Sequence, residues 1–427
     1  MLRKGPILCA AIFAGAMVFV TPSSAQNDAA KIPAPYADLI AKSNALSPAD
    51  KARAKQIFMT GFDLWKSGDI ASAMFAFKQG LDIDPTNGPA NYYYADCLNR
   101  QGNQVDAFEY FSRAAALGGA NKEAFEAQAA LSGMPPSVRI HVSANAVSDG
   151  DNAFNRKNWD EAIAFYNHAI QVNPNNEYAH KKRGLIYVQQ DRQDLALADF
   201  NQAIRLRPDD SDALDQRLNV YNHLGQYAIA LQDADEEVRL KPGDAHAFLN
   251  RGIVYTNLGQ YARAIQDFDQ AIKLVPDGAG YFYYRGLAFE KLGDYAHAVD
   301  SYTQTINRTP NNANFLIVRC RTRAEWGRQL DDAMDDCNKA IQLIPNSGSA
   351  LNSRGFVYFR MKKYAAAIAD YSAALVLSPK LASSLYVRGL AKLKSGDAAG
   401  GNADIAAGTA IDAKVADSYA KYGVKPD

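Results

Sequence analysis

Six arginines in this chain are each followed, sixteen or seventeen residues later, by an aspartate: Arg183 and Asp199, Arg217 and Asp233, Arg251 and Asp267, Arg319 and Asp336, Arg354 and Asp370, Arg388 and Asp404. A carboxylate beside a cation suggests a catalytic charge, a ligand ladder or a structural ion pair. The structural reading is the expected one, because ion-pair networks perturb charges without doing chemistry. Arg285 departs from the rule, with Ser301 in the aspartate's place and Asp300 adjacent. The six histidines (His141, His168, His180, His223, His246 and His297) show neither HxxxH nor HxH spacing, and no cysteine stands within metal-ligand reach of them. No metal site is expected. The chain also lacks a P-loop, a GxSxG elbow and a Rossmann glycine fingerprint, so no cofactor and no enzymatic activity are expected.

The elements that must position these residues declare themselves through proline. Pro174, Pro208, Pro242, Pro276, Pro310, Pro345 and Pro379 are spaced by 34 residues, once by 35. Each interval repeats one pattern, clearest in Phe248, Arg251, Gly252, Tyr255, Leu258, Gly259, Tyr261, Ala264, Phe268, Ala271 and Pro276. In order and period this resembles the tetratricopeptide repeat. The resemblance implies an all-α, right-handed solenoid of helix pairs A and B. With the proline as position 32, repeats fall at 54–87 and 88–121, and again from 143 to 415 in eight copies. Between the two sets lie a half-repeat at Asn121 to Leu131 and a joint at Gly133-Met134-Pro135-Pro136, where two prolines forbid continued helix. The expected organisation is therefore a first module at 54–142 and a second at 143–415, preceded by a tail and leading helix at 26–53 and closed by a capping segment at 416–427.

Physical reasons for one repeat can be read from its letters. Apolar positions 4 and 11 line one face of helix A, and positions 20, 24 and 27 line a face of helix B. A lone pair cannot bury both faces, so neighbouring repeats must cover what remains. Ser47-Pro48-Ala49-Asp50 signals a helix start, with a capping serine, proline at the first helical position and an acid in the first turn. Repeat 211–244 departs from the pattern with Leu218, Ala234 and Glu237, and its helix pair is expected to be spaced differently.

Met1 to Ala25 reads as a secretory signal peptide: Arg3 and Lys4, an apolar run from Ile7 to Val20, then Ser23-Ser24-Ala25. That run is too short to cross a bilayer as a helix, and no integral membrane segment is expected. Removing the leader leaves 44 basic residues against 46 acidic, a net charge of −2, spread without a basic stripe. Nucleic acid and anionic lipid are therefore not expected partners. Export is expected, and the resemblance places it in a bacterial periplasm.

In proteins of the family this chain resembles, ligands lie along the concave face made by successive A helices, mainly at positions 2, 5, 9, 12 and 13. Carried onto this sequence, that face includes Lys181, Asn219, Leu249, Tyr283, Arg321, Asn352, Phe359, Arg360 and Tyr386. Aromatics and arginines beside amides suit recognition of a protein or peptide. The carboxylate clamp of the family's chaperone-binding members is incomplete. Asn219 and Asn250 fill two of its slots, but Asp215, Gly280 and Tyr284 stand in the others. Two other functions stay open, glycan binding in the Tyr-rich groove and catalysis at the joint near Pro135-Pro136.

Cys320 and Cys337 take positions 8 and 24 of one repeat, level across its antiparallel pair, where two β-carbons can approach to the roughly 4 Å a disulfide needs. A bridge and a pair of buried thiols are both consistent with the spacing. Cys97 is expected to be unpaired.

Overall fold

The structure, a computed structural model, describes residues 36–425. The leader expected at Met1 to Ala25 lies outside the described residues. Among those residues there are 23 helices and no strand. A short leading helix, α1 (Ala37–Asn44), precedes the first pair, α2 (Pro48–Ser67) and α3 (Ile70–Ile83). The Ser47 hydroxyl caps α2 by accepting from the Asp50 amide at 3.1 Å, with Pro48 at the first helical position. Next come α4 (Gly88–Arg100) with α5 (Gln104–Leu117), the half-repeat α6 (Lys122–Gly133), and α7 (Pro136–Asn155) with α8 (Trp159–Val172). Helix α7 begins at the second proline of the joint, seven residues before position 143.

Six further pairs follow with little variation in length: α9 (Glu177–Gln189) and α10 (Gln193–Leu206), α11 (Ser211–His223) and α12 (Tyr227–Leu240), α13 (Ala245–Asn257) and α14 (Tyr261–Leu274), α15 (Ala279–Leu292) and α16 (Tyr295–Arg308), α17 (Ala313–Trp326) and α18 (Leu330–Leu343), α19 (Gly348–Arg360) and α20 (Tyr364–Leu377). The last pair is α21 (Ala382–Lys394) and α22 (Ala398–Ile411), and a short α23 (Val415–Ala420) ends the helical chain. Each part of the chain is all-α and built of helix-turn-helix repeats of the solenoid kind.

The chain forms two compact units, one through Ala179 and one from His180. In the first, Phe58, Phe77, Phe108 and Phe111 of the early repeats share a core with Val138, Val142 and Val172. The unit boundary therefore falls one helix pair beyond the sequence break at 142. In the second unit the core is a series of clusters that join one helix pair to the next, the last of them running from α17 to Val424.

Two backbone devices make one repeat. Position 15, between helices A and B, has positive φ throughout: Gly225, Gly259, Gly293 and Gly396 supply it where glycine is present, and Lys157, Asp191 and Lys362 adopt it without. Across each pair, position 8 faces position 24. A β-carbon on Gly252 would lie 2.5 Å from the Phe268 ring, and one on Gly150, Gly184 or Gly286 would lie 2.6, 2.9 or 2.6 Å from Tyr166, Phe200 or Tyr302. Repeat 211–244 fills the same space with the sizes exchanged, for Leu218 is 2% exposed against Ala234 at 0%. Conserved total volume is what a packed interior requires, so the departure from the pattern is compensated inside the pair.

Candidate partner-binding face

All six Arg–Asp pairs are two-bonded across their own helix pair, with Nε and Nη2 donating to the two carboxylate oxygens over 2.5 to 2.9 Å. The planar fork of arginine suits this geometry. A third donor is then free to leave the repeat. Nη1 of Arg217, Arg251, Arg319, Arg354 and Arg388 reaches Asn201, Asp235, Thr303, Asn338 and Ser372, each on helix B of the preceding repeat. Arg285 keeps both links in altered form, to Ser301 at 3.1 Å and to Asp269 at 2.8 Å. These aspartates are buried and engaged by the arginine of their own pair, and it is the arginines that join one repeat to the next.

Along the A helices of the second unit, the nine residues carried over from the family separate into three groups. Near its start the face is polar and uncovered: Asn219 is exposed and donates to Asp215, while Asn257 and Asn222 hydrogen-bond at 2.7 Å across two repeats. Lys181 is drawn down instead, paired with Asp210 at 2.7 Å. Leu249 is half-buried between the layers around Ala271 and Phe268. Beneath these amides, Asn250 bridges Asp215 at 2.7 Å and Glu237 at 3.2 Å. Burial pushes the Glu237 carboxyl up to about 7, and Asp215 up as well, while Asn250 opposes both shifts. Raised carboxyls in a groove are candidates for acid–base work, but Glu237 is only 4% exposed and its site is shared with the amide bridge.

The middle of the face is a charge cluster. Tyr283 packs against Tyr284, Tyr302 and Phe315 with its ring half-exposed. Arg321 lies between two carboxylates, Glu290 at 3.0 Å and Glu325 at 3.3 Å. Glu290 also accepts from Thr322 at 2.9 Å and Tyr302 at 3.1 Å. Burial raises the Glu325 carboxyl to about 7 against the opposing pull of Arg321. Arg321 is therefore occupied by its own repeat and its predecessor.

The third part of the face is covered by the chain's own end. Tyr386 is 1% exposed because Tyr419 of α23 stacks on it, 5.9 Å between centroids. Tyr419 also meets Phe356 at 5.3 Å, and Tyr422 meets Phe356 and, in the repeat two before it, Tyr295, each at 6.4 Å. Arg360 donates to the Tyr422 carbonyl at 2.8 Å. Phe359 packs at the edge against Tyr364, and Asn352 accepts from Ser384 at 2.7 Å. The described part of the capping segment expected at 416–427, residues 416–425, thus packs against the A helices α19 and α21 and against Tyr295 at the start of the B helix α16. Sequence reasoning singled out Arg360 and Tyr386 but not Phe356, Tyr295, Tyr419 or Tyr422. Phe356 stands at position 9 of its repeat, a slot the family pattern marks as groove-facing, and that signal was available.

Near the joint, in the first unit, a cleft of about 460 Å³ is lined by residues including Tyr36, Ser112, Arg139 and His168. Ser112 donates to the Phe108 carbonyl at 2.8 Å and Arg139 to the carbonyls of Leu131 and Ser132, so neither is set as a nucleophile or anion donor. Burial lowers the His168 pKa, against the opposing pull of Glu109. Cys320 and Cys337 are bonded, with α-carbons 5.7 Å apart, and Cys97 is a buried free thiol. Among the described residues, no group of three His, Cys, Asp or Glu side chains could hold a metal, and no helix is long and apolar enough to cross a membrane.

Comparison with known proteins agrees with this geometry. Models described as tetratricopeptide repeat match residues 64–131, 152–219, 281–312 and 348–381, and one described as TPR repeat matches 252–293. No curated protein sequence matches the chain. Among solved structures it is similar to the C-terminal part of a TPR repeat-containing protein from Cytophaga hutchinsonii, 21% identical over 54% of this chain and 94% of that one, with a TM-score of 0.46. It is similar also to PilF of Pseudomonas aeruginosa, at 19% identity over 50% of this chain and 96% of that one, TM-score 0.42. MamA of Desulfovibrio magneticus RS-1 is 20% identical over 39% of this chain and 95% of that one, TM-score 0.38. With matched repeats in both units and helix pairs of the same period between them, the chain belongs to the tetratricopeptide-repeat family.

Proposed function

We propose that this protein is an exported, non-enzymatic scaffold that binds a protein or peptide on the A-helix face of its second unit. One observation carries the reading: that face already accepts a length of polypeptide, residues 415–424, at the positions where a partner would lie. At the uncovered start of the face, the amides of Asn219, Asn222 and Asn257 offer donors and acceptors that suit a polypeptide backbone. The carboxylates that would be needed for catalysis are engaged in ion pairs or amide bridges, which favours a binding role. Export is supported by the leader-like sequence at Met1 to Ala25 and by the Cys320–Cys337 bridge, a bond that persists in oxidising compartments.

The test is a paired substitution on the uncovered part of the face. Asn219→Arg with Asn257→Arg should weaken capture of the partner by at least about tenfold, a loss of roughly 1.4 kcal/mol. Helical circular dichroism should be unchanged, since both side chains are exposed. Undiminished capture by this variant would remove the face from the account.

A further inference from the structure

Residues 415–424 do more than close the end of a solenoid. A cap would stack on the last helix pair alone. This segment touches α21 through Tyr419 on Tyr386, α19 through Phe356 and Arg360, and α16 through Tyr295, so it runs back over four repeats. Val415 and Val424, 3% exposed at its two ends, join the same apolar cluster. The hold is local, however. Helix α23 has six residues, far below the length at which a helix persists unaided, and no side chain caps its start. Asp412, Ala413 and Lys414 before it are exposed, and Gly423 has a φ of +70°. Exposed residues on one side and a left-handed glycine on the other thus flank the two tyrosines.

We infer that residues 415–424 form a strap that occupies the partner groove in the resting protein and is displaced by a protein segment of like chemistry: a helical turn with aromatic residues at i and i+3 and a β-branched residue at i+5, the spacing of Tyr419, Tyr422 and Val424. The inference rests on the binding role proposed above. The segment has two aromatic seats, Phe356 with Tyr386 on the A helices α19 and α21, and Phe356 with Tyr295 at the start of the B helix α16, and Arg360 supplies a donor for one main-chain carbonyl. Edge and stacked ring pairs of this kind add to simple burial and select aromatic over aliphatic side chains. Because the strap is tethered, it competes at high effective concentration, and a free ligand feels only the fraction of chains in which the strap is away.

The experiment uses the full chain and a labelled peptide of residues 414–427. Tyr419→Ser with Tyr422→Ser should empty the groove, and the peptide should bind this variant at least about tenfold more tightly than the unaltered chain. Phe356→Ser should abolish that binding in either background. A second measurement needs no variant: saturating peptide should speed hydrogen exchange at 415–424 of the unaltered chain. Equal affinity for both chains, or exchange that does not change at saturation, would overturn the strap. So would a dimer of the unaltered chain in which tails cross-link between copies. If the strap behaves as expected but no protein is captured on the face, the binding role fails alone. If a protein is captured equally with and without the two tyrosines, the strap fails alone.

Discussion

Arg251 donates two hydrogen bonds to Asp267, at 2.9 and 2.8 Å, and a third to Asp235 of the preceding repeat at 3.1 Å. One guanidinium thus ties helix A to helix B and one repeat to the next. Asp267 is 6% exposed, so Asp267→Ala leaves a largely buried cation without its main partner. The expected loss is about 2 to 4 kcal/mol, and replacing both residues with apolar ones of similar volume should cost less. Hydrogen exchange should place the damage in α12 to α14, because each repeat touches only its neighbours.

The period, the helix pairs and all six ion pairs were legible in the sequence because they depend on local spacing. Cross-repeat use of the third arginine donor was not, since it depends on how far one pair is rotated against the next. The exchange of sizes between Leu218 and Ala234 was visible as a departure, but only packing shows that the two compensate. Helix-face position identified Tyr386, Arg360 and Arg321 as groove residues. It could not show that Glu290 engages Arg321, or that Tyr419 returns to cover Tyr386, because both relationships join residues from different repeats.

Glycine size at position 8 gives a graded prediction. A β-carbon on Gly252 would lie 2.5 Å from Phe268, whereas one on Gly355 would lie 3.1 Å from Tyr371. Gly252→Ala should therefore be the more destabilising, by about 1 to 3 kcal/mol, and Gly355→Ala milder. Urea titration followed by circular dichroism ranks the two, and the reverse order would contradict the packing described here.

Burial raises the Glu237 carboxyl from 4.5 to about 7, with Asp215 and Asp244 adding to the shift. A carboxyl with a raised folded pKa is protonated in the folded chain while the unfolded chain has already lost its proton. Its contribution is therefore present below pH about 4.5 and is lost as pH rises to about 7. Glu237→Gln keeps the shape and an acceptor for Asn250. After allowance for solvent screening, it should stabilise the protein at pH 8 by about 1 to 2 kcal/mol and have little effect at pH 4. Thermal melts at the two pH values check this, and equal shifts at both would rule it out.

The Cys320–Cys337 bond closes a loop with a sequence separation of 17, joining α17 to α18. Its reduction should cost about 3 kcal/mol in the chain-entropy model, felt first in that helix pair. Cys97 is fully buried, and burial pushes its thiol up to about 11, so it should resist alkylation until the chain unfolds. Mass spectrometry of the exported, non-reduced protein should find one alkylatable thiol after denaturation and one linked peptide pair. Three alkylatable thiols would contradict the bridge.

The central claim is that a protein partner lies on the A helices of the second unit. Site-specific photo-crosslinking in the producing cell tests it most directly, with the probe placed at Asn219, Asn257 or Tyr283 on the A helices and at Arg239 or Lys273, exposed on the B helices α12 and α14. The account predicts one discrete protein adduct from the A-helix positions and none from the B-helix positions. Adducts from the B helices alone, equal adducts from both sets, or attachment only to insoluble cell-wall material would contradict it.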